Sequence, residues 1–342
     1  MRLPALIAAL LLLGACARQP LQVFKFDKPL MHTRWDFSLV ALQSEKAQKA
    51  FEAAAKEVER LDLALAMWRP ESELAAFNAK AGQGAQEVSA DLDAVLSLGE
   101  MVSELSGGAS DCSVGPLVQL WYERLKKNAL PSQAEIAAAK AFVGYRRLKR
   151  EGPRLWSSAA GTRIDLGSLA KGYAQDAAAK ILRAHGVKSF LINAGGQVYA
   201  AGHKPSGEKW QVGVINPRAA DKLVAIVPLE DQGMSTSGDY EQGSIIHGRR
   251  YHHIIDPKTG WPVTNGTCSV TVILPFSGAE APGAGSWCDA LDTAALVLGM
   301  RDGKKLLESR KASGILIHQG PAGALDASLT DDLLGKIDLR LN

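Results

Sequence analysis

The sequence lacks the short patterns by which several classes of enzyme and metal protein are recognised. It has no internal repeat, no C-x-x-C spacing, no phosphate-binding P-loop, no G-x-G-x-x-G and no G-x-S-x-G nucleophile elbow. Its 39 basic and 36 acidic residues nearly cancel, and no basic block carries interleaved aromatic residues. The protein is therefore not expected to bind nucleic acid.

Cysteine is also scarce, with four residues in 342. Cys16 lies near the start of the chain, and the remaining three, Cys112, Cys268 and Cys288, cannot all pair within one molecule. An exported protein permits a Cys268–Cys288 disulfide. The sequence leaves open whether that bond forms.

The first residues are predicted to be a leader. Arg2 precedes an apolar run over residues 5–13, which is too short to span a bilayer. Residues 13–16, L-G-A-C, resemble the bacterial lipobox. We predict a signal peptide over residues 1–15, a lipidated Cys16 and a tether over residues 16–30. The alternative is an ordinary signal peptide that happens to contain a cysteine.

The rest of the chain, about 300 residues, is long enough for a sizeable core. Helices are predicted first, then consecutive strands, so we expect an α+β fold with a largely antiparallel or mixed sheet and flanking helices. The predicted helices cover residues 44–67, 91–105 and 287–298, and a further one begins at a capping box of Ser132 and Glu135. The predicted strands cover residues 190–193, 197–201, 210–215, 223–229, 245–247, 251–255, 268–274 and 314–318.

Residues 163–182, R-I-D-L-G-S-L-A-K-G-Y-A-Q-D-A-A-A-K-I-L, begin with the alternation of a strand and continue from Leu169 with helical spacing. The junction holds Asp165, Ser168 and Lys171 within one turn of the helix start. A capped strand–helix connection explains this pattern. An anion or metal site explains it too, because a helix start offers free N–H groups and a positive dipole end.

A second candidate site lies in the predicted helix over residues 287–298. Asp289 and Thr293 are four residues apart and share a helical face, while Asp292 lies one residue off that face. A carboxylate and a hydroxyl placed in this way suit Mg²⁺, which prefers oxygen ligands. A local hydrogen bond on a solvated face is the alternative.

Three segments between these sites are rich in glycine or in turn residues. N-A-G-G (193–196) connects two strands, S-T-S-G-D-Y-E (235–241) has the composition of a loop, and H-H-I-I-D-P-K-T-G (252–260) is a strand that enters an Asp-Pro turn. None of the three identifies a function alone.

In order and spacing, these segments resemble the ApbE family of FAD:protein FMN transferases. The resemblance spans residues 31–342, which we therefore predict to be one domain with an ApbE-like, T-fold-related architecture. The blocks that carry it are M-H-T-R-W (31–35), M-W-R-P-E-S-E-L-A-A-F-N (67–78), G-A-S-D-C-S-V-G-P-L-V-Q-L-W (108–121), D-L-G-S-L-A-K-G-Y-A-Q-D (165–176), N-A-G-G (193–196), S-G-D-Y-E (237–241), H-I-I-D-P-K-T-G (253–260) and D-A-L-D-T-A (289–294).

The resemblance implies a Mg²⁺-dependent enzyme that cleaves FAD at its pyrophosphate, attaches FMN through a phosphoester to a threonine of an exported acceptor protein, and releases AMP. It implies an exported lipoprotein, held on the membrane by Cys16 and facing the periplasm. Mg²⁺ would be held by the backbone carbonyl of Ser168 and the side chains of Asp289 and Thr293. The positions that match FAD contacts are Met31, Trp68, Ala109, Ser110, Asp111, Asp165, Lys171 and His253.

His253, or an acidic residue such as Asp239, would accept the proton of the threonine hydroxyl, and the sequence does not choose between them. The chain departs from the family pattern at residues 110–113, S-D-C-S in place of F-D-P-T. It also has M-H-T in place of M-G-T at residues 31–33, and Trp68 where tyrosine is frequent. A related function is an FAD-binding lipoprotein without transferase activity.

A serine hydrolase that recognises penicillins is the rival from another class, because Ser168 and Lys171 form S-x-x-K and residues 258–260 form K-T-G. Two features disfavour it. The S-D pair at residues 110–111 precedes S-x-x-K, and K-T-G follows directly on an Asp-Pro turn.

Overall fold

Eight strands form one sheet in which every pair of neighbours is antiparallel. The computed structural model describes residues 20–151, 154–276 and 282–341. Its strands are β1 (Gln22–Leu30), β2 (Thr33–Ala41), β3 (Gln86–Glu87), β4 (Leu148–Glu151), β5 (Arg154–Ser157), β6 (Phe190–Ala194), β7 (Gln197–Ala201), β8 (Trp210–Asn216), β9 (Ala219–Leu229), β10 (Gln232–Gly238), β11 (Gly243–Ile246), β12 (Arg249–His252), β13 (Thr267–Pro275), β14 (Ser313–Gln319) and β15 (Leu325–Leu329). Its α-helices are α1 (Ser44–Leu65), α2 (Glu73–Ala79), α3 (Ala90–Leu105), α4 (Gly115–Lys126), α5 (Gln133–Lys140), α6 (Ala170–Ala184) and α7 (Ala284–Ser309). The order of the strands in the eight-stranded sheet is β1-β2-β6-β7-β10-β13-β14-β15. The predicted α+β class is confirmed.

The start of the fold corrects the predicted tether. Gln22–Leu30 is not a linker but β1, the edge strand of the sheet, and it pairs along its whole length with β2. Phe24 and Phe26 alternate with the charged side chains of Lys25 and Asp27, the period-2 pattern of a strand with one packed face. Phe26 stacks on Phe51 of α1 at a centroid distance of 4.8 Å. The predicted signal peptide and Cys16 lie outside the described residues.

The predicted helices agree closely with the observed ones. α5 begins at the expected capping box, in which the Ser132 hydroxyl accepts from the Glu135 amide and the Glu135 carboxylate accepts from the Ser132 amide. The last helix is predicted to end at residue 298, and the backbone of the next residue, Gly299, is non-helical with φ of 82°. A second helical segment nevertheless follows the break and continues to Ser309. The Asn265 side-chain amide donates to the carbonyls of Leu296 and Val297 just before the break.

The main core lies between one face of the sheet and helices α1, α6 and α7. A second core fills the opposite face, under the β8–β9 hairpin, and a third joins α4 and α5 to the segment around β12. The thiols of Cys112, Cys268 and Cys288 are all buried and free, so the Cys268–Cys288 bond is not formed in this structure. Across the described part of the chain, no helix is both long and apolar enough to cross a membrane.

The strand predicted before α6 does not form. Residues 163–166 join no sheet, apart from one parallel bridge between Arg163 and Val114, and residues 167–169 form a turn. The side chain of Asn78 takes the place of a neighbouring strand, because its amide donates to the Ile164 carbonyl at 2.9 Å and its oxygen accepts from the Ile164 amide at 2.7 Å. The helix that follows starts where the sequence predicts, with Leu169 as its N-cap.

Candidate functional site

The candidate site forms where the N-terminal halves of α6 and α7 cross. The two backbones touch because both helices carry a glycine there: a Cβ on Gly172 would lie 2.3 Å from the Gly285 carbonyl oxygen. Asp176 of α6 holds the crossing, since its carboxylate accepts hydrogen bonds from the amides of Gly283, Gly285 and Ser286 and from the Ser286 hydroxyl. This carboxylate occupies the free N–H groups of the α7 N-terminus.

Asp289 reaches from α7 to the start of α6. Its buried carboxylate accepts from the Gly172 amide at 2.9 Å and lies 3.9 Å from Lys171 Nζ. In a regular helix the Gly172 amide would donate to the carbonyl of Ser168, four residues earlier. Within the described chain the Ser168 carbonyl receives no such backbone bond, so its oxygen is left available to a ligand beside Asp289.

Asp292, the neighbour that lies one residue off the Asp289–Thr293 face, accepts hydrogen bonds from three hydroxyl groups. Ser235 Oγ donates to Oδ2 at 2.5 Å, whereas Ser237 Oγ at 2.9 Å and Thr293 Oγ1 at 3.1 Å donate to Oδ1. The two serines belong to β10 and project towards α7. The S-T-S-G-D-Y-E segment, predicted to be a loop, is therefore in part a sheet strand that anchors α7.

Lys171 is surrounded by acidic groups. Burial lowers its pKa, but four neighbouring carboxylates outweigh burial and raise the pKa overall. The four belong to Asp165, Glu241, Asp289 and Asp292. One ammonium group thus stands among four carboxyl groups, so acidic groups outnumber basic ones in the site.

Two of these carboxyl groups have raised pKa values. The surrounding protein raises the pKa of Glu241 to about 7 even though part of its side chain reaches solvent, with Lys171 acting in the opposite direction. Burial and the nearby Asp289 raise the pKa of Asp292 well above its ordinary range. A bound cation would favour the ionised form of both groups.

The donor set suits a hard divalent cation. No group of three or more His, Cys, Asp or Glu side chains is arranged to hold a metal within residues 20–151, 154–276 and 282–341. A cation here would need oxygens of several kinds, and the crossing supplies the Asp289 carboxylate, the Thr293 hydroxyl and the free Ser168 carbonyl. The three residues predicted as metal ligands are therefore suitable by chemistry, and the ligand assignment stays a prediction.

The loop between α3 and α4 lies beside this cluster, since the Cys112 carbonyl accepts from the Asp165 amide at 2.8 Å. Ala109 and Ser110 are buried there. The Asp111 carboxylate is fully engaged inside the protein: one oxygen accepts from the amide and the hydroxyl of Ser113, and the other from the Tyr145 amide. In this structure the Asp111 side chain fixes the loop, so a ligand contact at this position falls to the backbone.

The segment after β12 supplies His253. Its ring reaches solvent at the edge of the cluster. Desolvation by the surrounding protein nevertheless lowers the pKa of His253 to about 4, and the charge of Lys171 acts in the same direction. The Asp256–Gly260 turn follows, fixed by the Asp256 carboxylate, which accepts from the Lys258 amide, and by Trp121 Nε1, which donates to the Gly260 carbonyl. The K-T-G sequence lies in this turn and not on a strand, which counts against a penicillin-recognising hydrolase.

Asp239 is placed differently from His253. Both of its oxygens accept from the Arg218 guanidinium, at 2.7 and 2.8 Å. A bidentate pair of this kind occupies the oxygens that would have to accept the threonine proton. Of the two predicted proton acceptors, the geometry favours His253.

Met31 and Trp68 are not among the groups that surround Lys171. Met31 is in the β1–β2 turn and lines a pocket of about 640 Å³ with His32, Asp62 and Arg69. None of the residues around Lys171 lines this pocket. Trp68, next to Arg69, is 51% exposed and contacts the Tyr122 ring at a centroid distance of 5.1 Å, so it offers a flat apolar surface.

Several residues of the cluster were not predicted as site residues, namely Asp176, Ser235, Ser237, Glu241 and Asp292. The sequence indicates them only weakly, because the residues that they contact in the fold lie far away along the chain. Asp292 bonds Ser235 from 57 positions away and Asp176 bonds Ser286 from 110 positions away. The clustering of Ser235, Ser237 and Glu241 in one polar segment was visible but is typical of a loop.

The fold and the crossing define a class of protein: an α+β protein with an acidic, lysine-centred site whose oxygen donors suit a divalent cation. The chain belongs to the ApbE family, whose sequence profile matches residues 31–316. An FAD:protein FMN transferase of Klebsiella pneumoniae is 31% identical over 330 residues, covering 92% of each chain. Its counterpart in Haemophilus influenzae is 29% identical over 337 residues, covering 94% of each.

Solved structures show the same architecture. The flavin transferase ApbE from Vibrio cholerae superposes with a TM-score of 0.82 at 26% identity, covering 92% of this chain and 99% of that one. The flavinyl transferase ApbE of Pseudomonas stutzeri, in its apo form, gives a TM-score of 0.78 at 30% identity, covering 91% and 96%. The predicted ApbE-like architecture is confirmed.

Proposed function

We propose that the protein transfers FMN from FAD to a threonine side chain of an acceptor protein and releases AMP, in a reaction that depends on Mg²⁺. The observation that carries the proposal is the α6–α7 crossing. There the Asp289 carboxylate lies 3.9 Å from Lys171 Nζ and accepts from the Gly172 amide. The Ser168 carbonyl lies just before α6 and Thr293 one turn beyond Asp289 on α7, in a chain that belongs to a family of flavin transferases.

The charge of the site supports a metal-dependent reaction. Lys171 is one ammonium group among four carboxyl groups, so this cluster offers the pyrophosphate of FAD little positive charge. Bound Mg²⁺ would supply positive charge and stabilise the negative charge on phosphate oxygens during transfer. Ser168, Asp289 and Thr293 would hold the ion, and Lys171 would add a second positive charge on the same side.

The transfer step conserves atoms and charge. The threonine hydroxyl oxygen forms a bond to the phosphorus of the FMN half of FAD, and the bond from that phosphorus to the bridging oxygen breaks. The bridging oxygen leaves with AMP, and the threonine proton ends on AMP or in solvent. His253 suits the role of first proton acceptor, because a pKa of about 4 keeps its ring neutral at physiological pH.

The direct test uses the purified protein with FAD, Mg²⁺ and an acceptor that carries an exported threonine-containing flavinylation motif. We expect flavin fluorescence on the acceptor in a denaturing gel, one AMP per flavin attached, and loss of both with EDTA. FAD binding without AMP release would instead identify a flavin-binding protein that lacks transferase activity.

Variants of the crossing test the metal ligands. Asp289→Ala removes the charged ligand, so transfer should be lost. Asp289→Asn should also lose transfer while keeping an oxygen for the Gly172 amide, which separates the loss of charge from a loss of fold. Ser168→Ala is the matched control, because alanine keeps the backbone carbonyl and the helix start; its activity should stay within about tenfold of wild type, or ~1.4 kcal/mol of barrier. Native transfer by Asp289→Asn would refute the metal assignment.

A further inference from the structure

We propose that Asp292 is a positioning residue that orients the Thr293 hydroxyl towards the cation. This inference rests on the proposed function, because it takes Asp289 and Thr293 as cation ligands. It concerns a residue that would not touch the ion, FAD or the acceptor threonine.

The hydrogen bonds around Thr293 carry the argument. Thr293 Oγ1 lies 3.1 Å from Asp292 Oδ1 and 2.9 Å from Ser237 Oγ, and Ser237 Oγ lies 2.9 Å from the same Asp292 oxygen. The three oxygens form a triangle in which Asp292 Oδ1 accepts hydrogen bonds from the hydroxyls of both Thr293 and Ser237.

A threonine hydroxyl has one proton and two lone pairs. When Asp292 accepts the hydrogen bond from Thr293, the lone pairs of Thr293 Oγ1 are directed away from Asp292 and are free to coordinate a cation. Without Asp292, the hydroxyl can rotate and direct its proton into the cation site, where it would repel the ion. Partners of this kind typically change metal affinity by about 10–100-fold.

Asp292 is itself held firmly in this role. Its second oxygen accepts from Ser235 Oγ at 2.5 Å, its side chain is 1% exposed, and both serines belong to β10 at the centre of the sheet. The carboxylate is thus fixed between the strand and α7. The position of the Thr293 hydroxyl is thereby set by the sheet and not by α7 alone.

The test is a double-mutant cycle on cation affinity, measured by isothermal titration with Mg²⁺ and by Mn²⁺ electron paramagnetic resonance, both without FAD. Asp292→Asn should weaken cation binding about 10–100-fold, and Thr293→Val should weaken it as well. The double variant should be no weaker than Thr293→Val alone, because Asp292 acts through the hydroxyl that valine lacks. Asp302→Asn, on an exposed turn of the same helix, serves as the matched control.

Ser237→Ala gives a second and milder test. It removes the other hydroxyl of the triangle but leaves Asp292 to accept the Thr293 proton, so cation affinity should change little. A large loss in Ser237→Ala, or additive losses in the double variant, would overturn the proposal. A lower melting temperature in Asp292→Asn with unchanged cation affinity would also overturn it, since that result describes a purely structural residue.

The outcome for the proposed function is read separately. If Asp289→Asn leaves cation binding unchanged, the metal assignment itself is wrong and the role of Asp292 falls with it. If Asp289→Asn abolishes binding while Asp292→Asn does not affect it, only the inference on Asp292 fails.

Discussion

Glu241 differs from an ordinary surface glutamate because its environment raises its pKa from 4.5 to about 7. Desolvation by the surrounding protein is the main cause, and Asp289 adds to it. The folded protein therefore holds this proton more tightly than the unfolded chain does between pH 4.5 and 7. The contribution of Glu241 to stability is present at low pH and is lost as the pH rises through about 7.

The same shift predicts a pH dependence of flavin transfer. The ionised carboxylate adds negative charge beside the cation site and can accept a proton, so kcat/KM should rise with pH, with an apparent pKa below about 7 because a bound cation favours the ionised form. Glu241→Gln should remove this rise, whereas Glu208→Gln, on an exposed turn, should keep it. A rise that persists in Glu241→Gln would assign it to another group. His253, with a pKa of about 4, should add no step in this range.

His32 occupies a position that favours glycine. It and Met31 form the two-residue turn between β1 and β2, with φ of 59° and 46°, a turn that commonly carries glycine. His32→Gly should raise the free energy of unfolding by about 1 kcal/mol. His32→Ala also removes the imidazole but keeps the strain, so it should not stabilise the protein. Urea unfolding of the three proteins measures the difference; equal gains in both variants would refute the strain argument.

Among the secondary-structure elements, α7 is capped at its N-terminus by a single side chain from another helix. Asp176 caps its N-terminus with four hydrogen bonds, and the helix carries Asp289, Asp292 and Thr293. Asp176→Asn directs an amide donor at these donors, which should cost roughly 2–4 kcal/mol of unfolding free energy and weaken Mg²⁺ binding. Ser286→Ala removes one donor and should cost only about 1 kcal/mol. Thermal unfolding and titration with Mg²⁺ measure both effects; equal destabilisation by the two variants would contradict the capping role.

The elements that the sequence predicts well are those with local signals. The capping box of α5, the apolar stripe of α1 and the glycine break in α7 all act within a few residues. β10 was missed because Ser235 and Ser237 point at Asp292 and not at an apolar core. With serines at these two positions, β10 lacks the apolar alternation by which a strand is recognised, and the residue that explains the serines lies on another element.

At the scale of the whole molecule, the candidate site was predictable only as separate pieces. The Lys171 and Asp289 segments each suggested an anion or cation site, and the order of the motifs joined them through the family. What the sequence alone could not supply is their contact: the amide of Gly172 meets Asp289 across 117 positions of chain because two glycines let the helices touch. The sequence also does not predict hydrogen bonds between distant side chains, such as those from Arg218 to Asp239.

The start of the fold constrains how the whole protein would sit at a membrane. If Cys16 is the lipidated first residue of an exported lipoprotein, as we propose from the lipobox-like L-G-A-C, only residues 17–21 separate it from β1 at Gln22. Five residues span at most about 18 Å, so the edge of the sheet would stay close to the lipid surface and the acceptor would have to be reached there. We expect the mature protein in the membrane fraction with an acylated N-terminal cysteine by mass spectrometry. Cys16→Ser should release it from the membrane, while flavin transfer by the purified protein is unchanged. A mature wild-type protein that is soluble and cleaved elsewhere would refute the anchor.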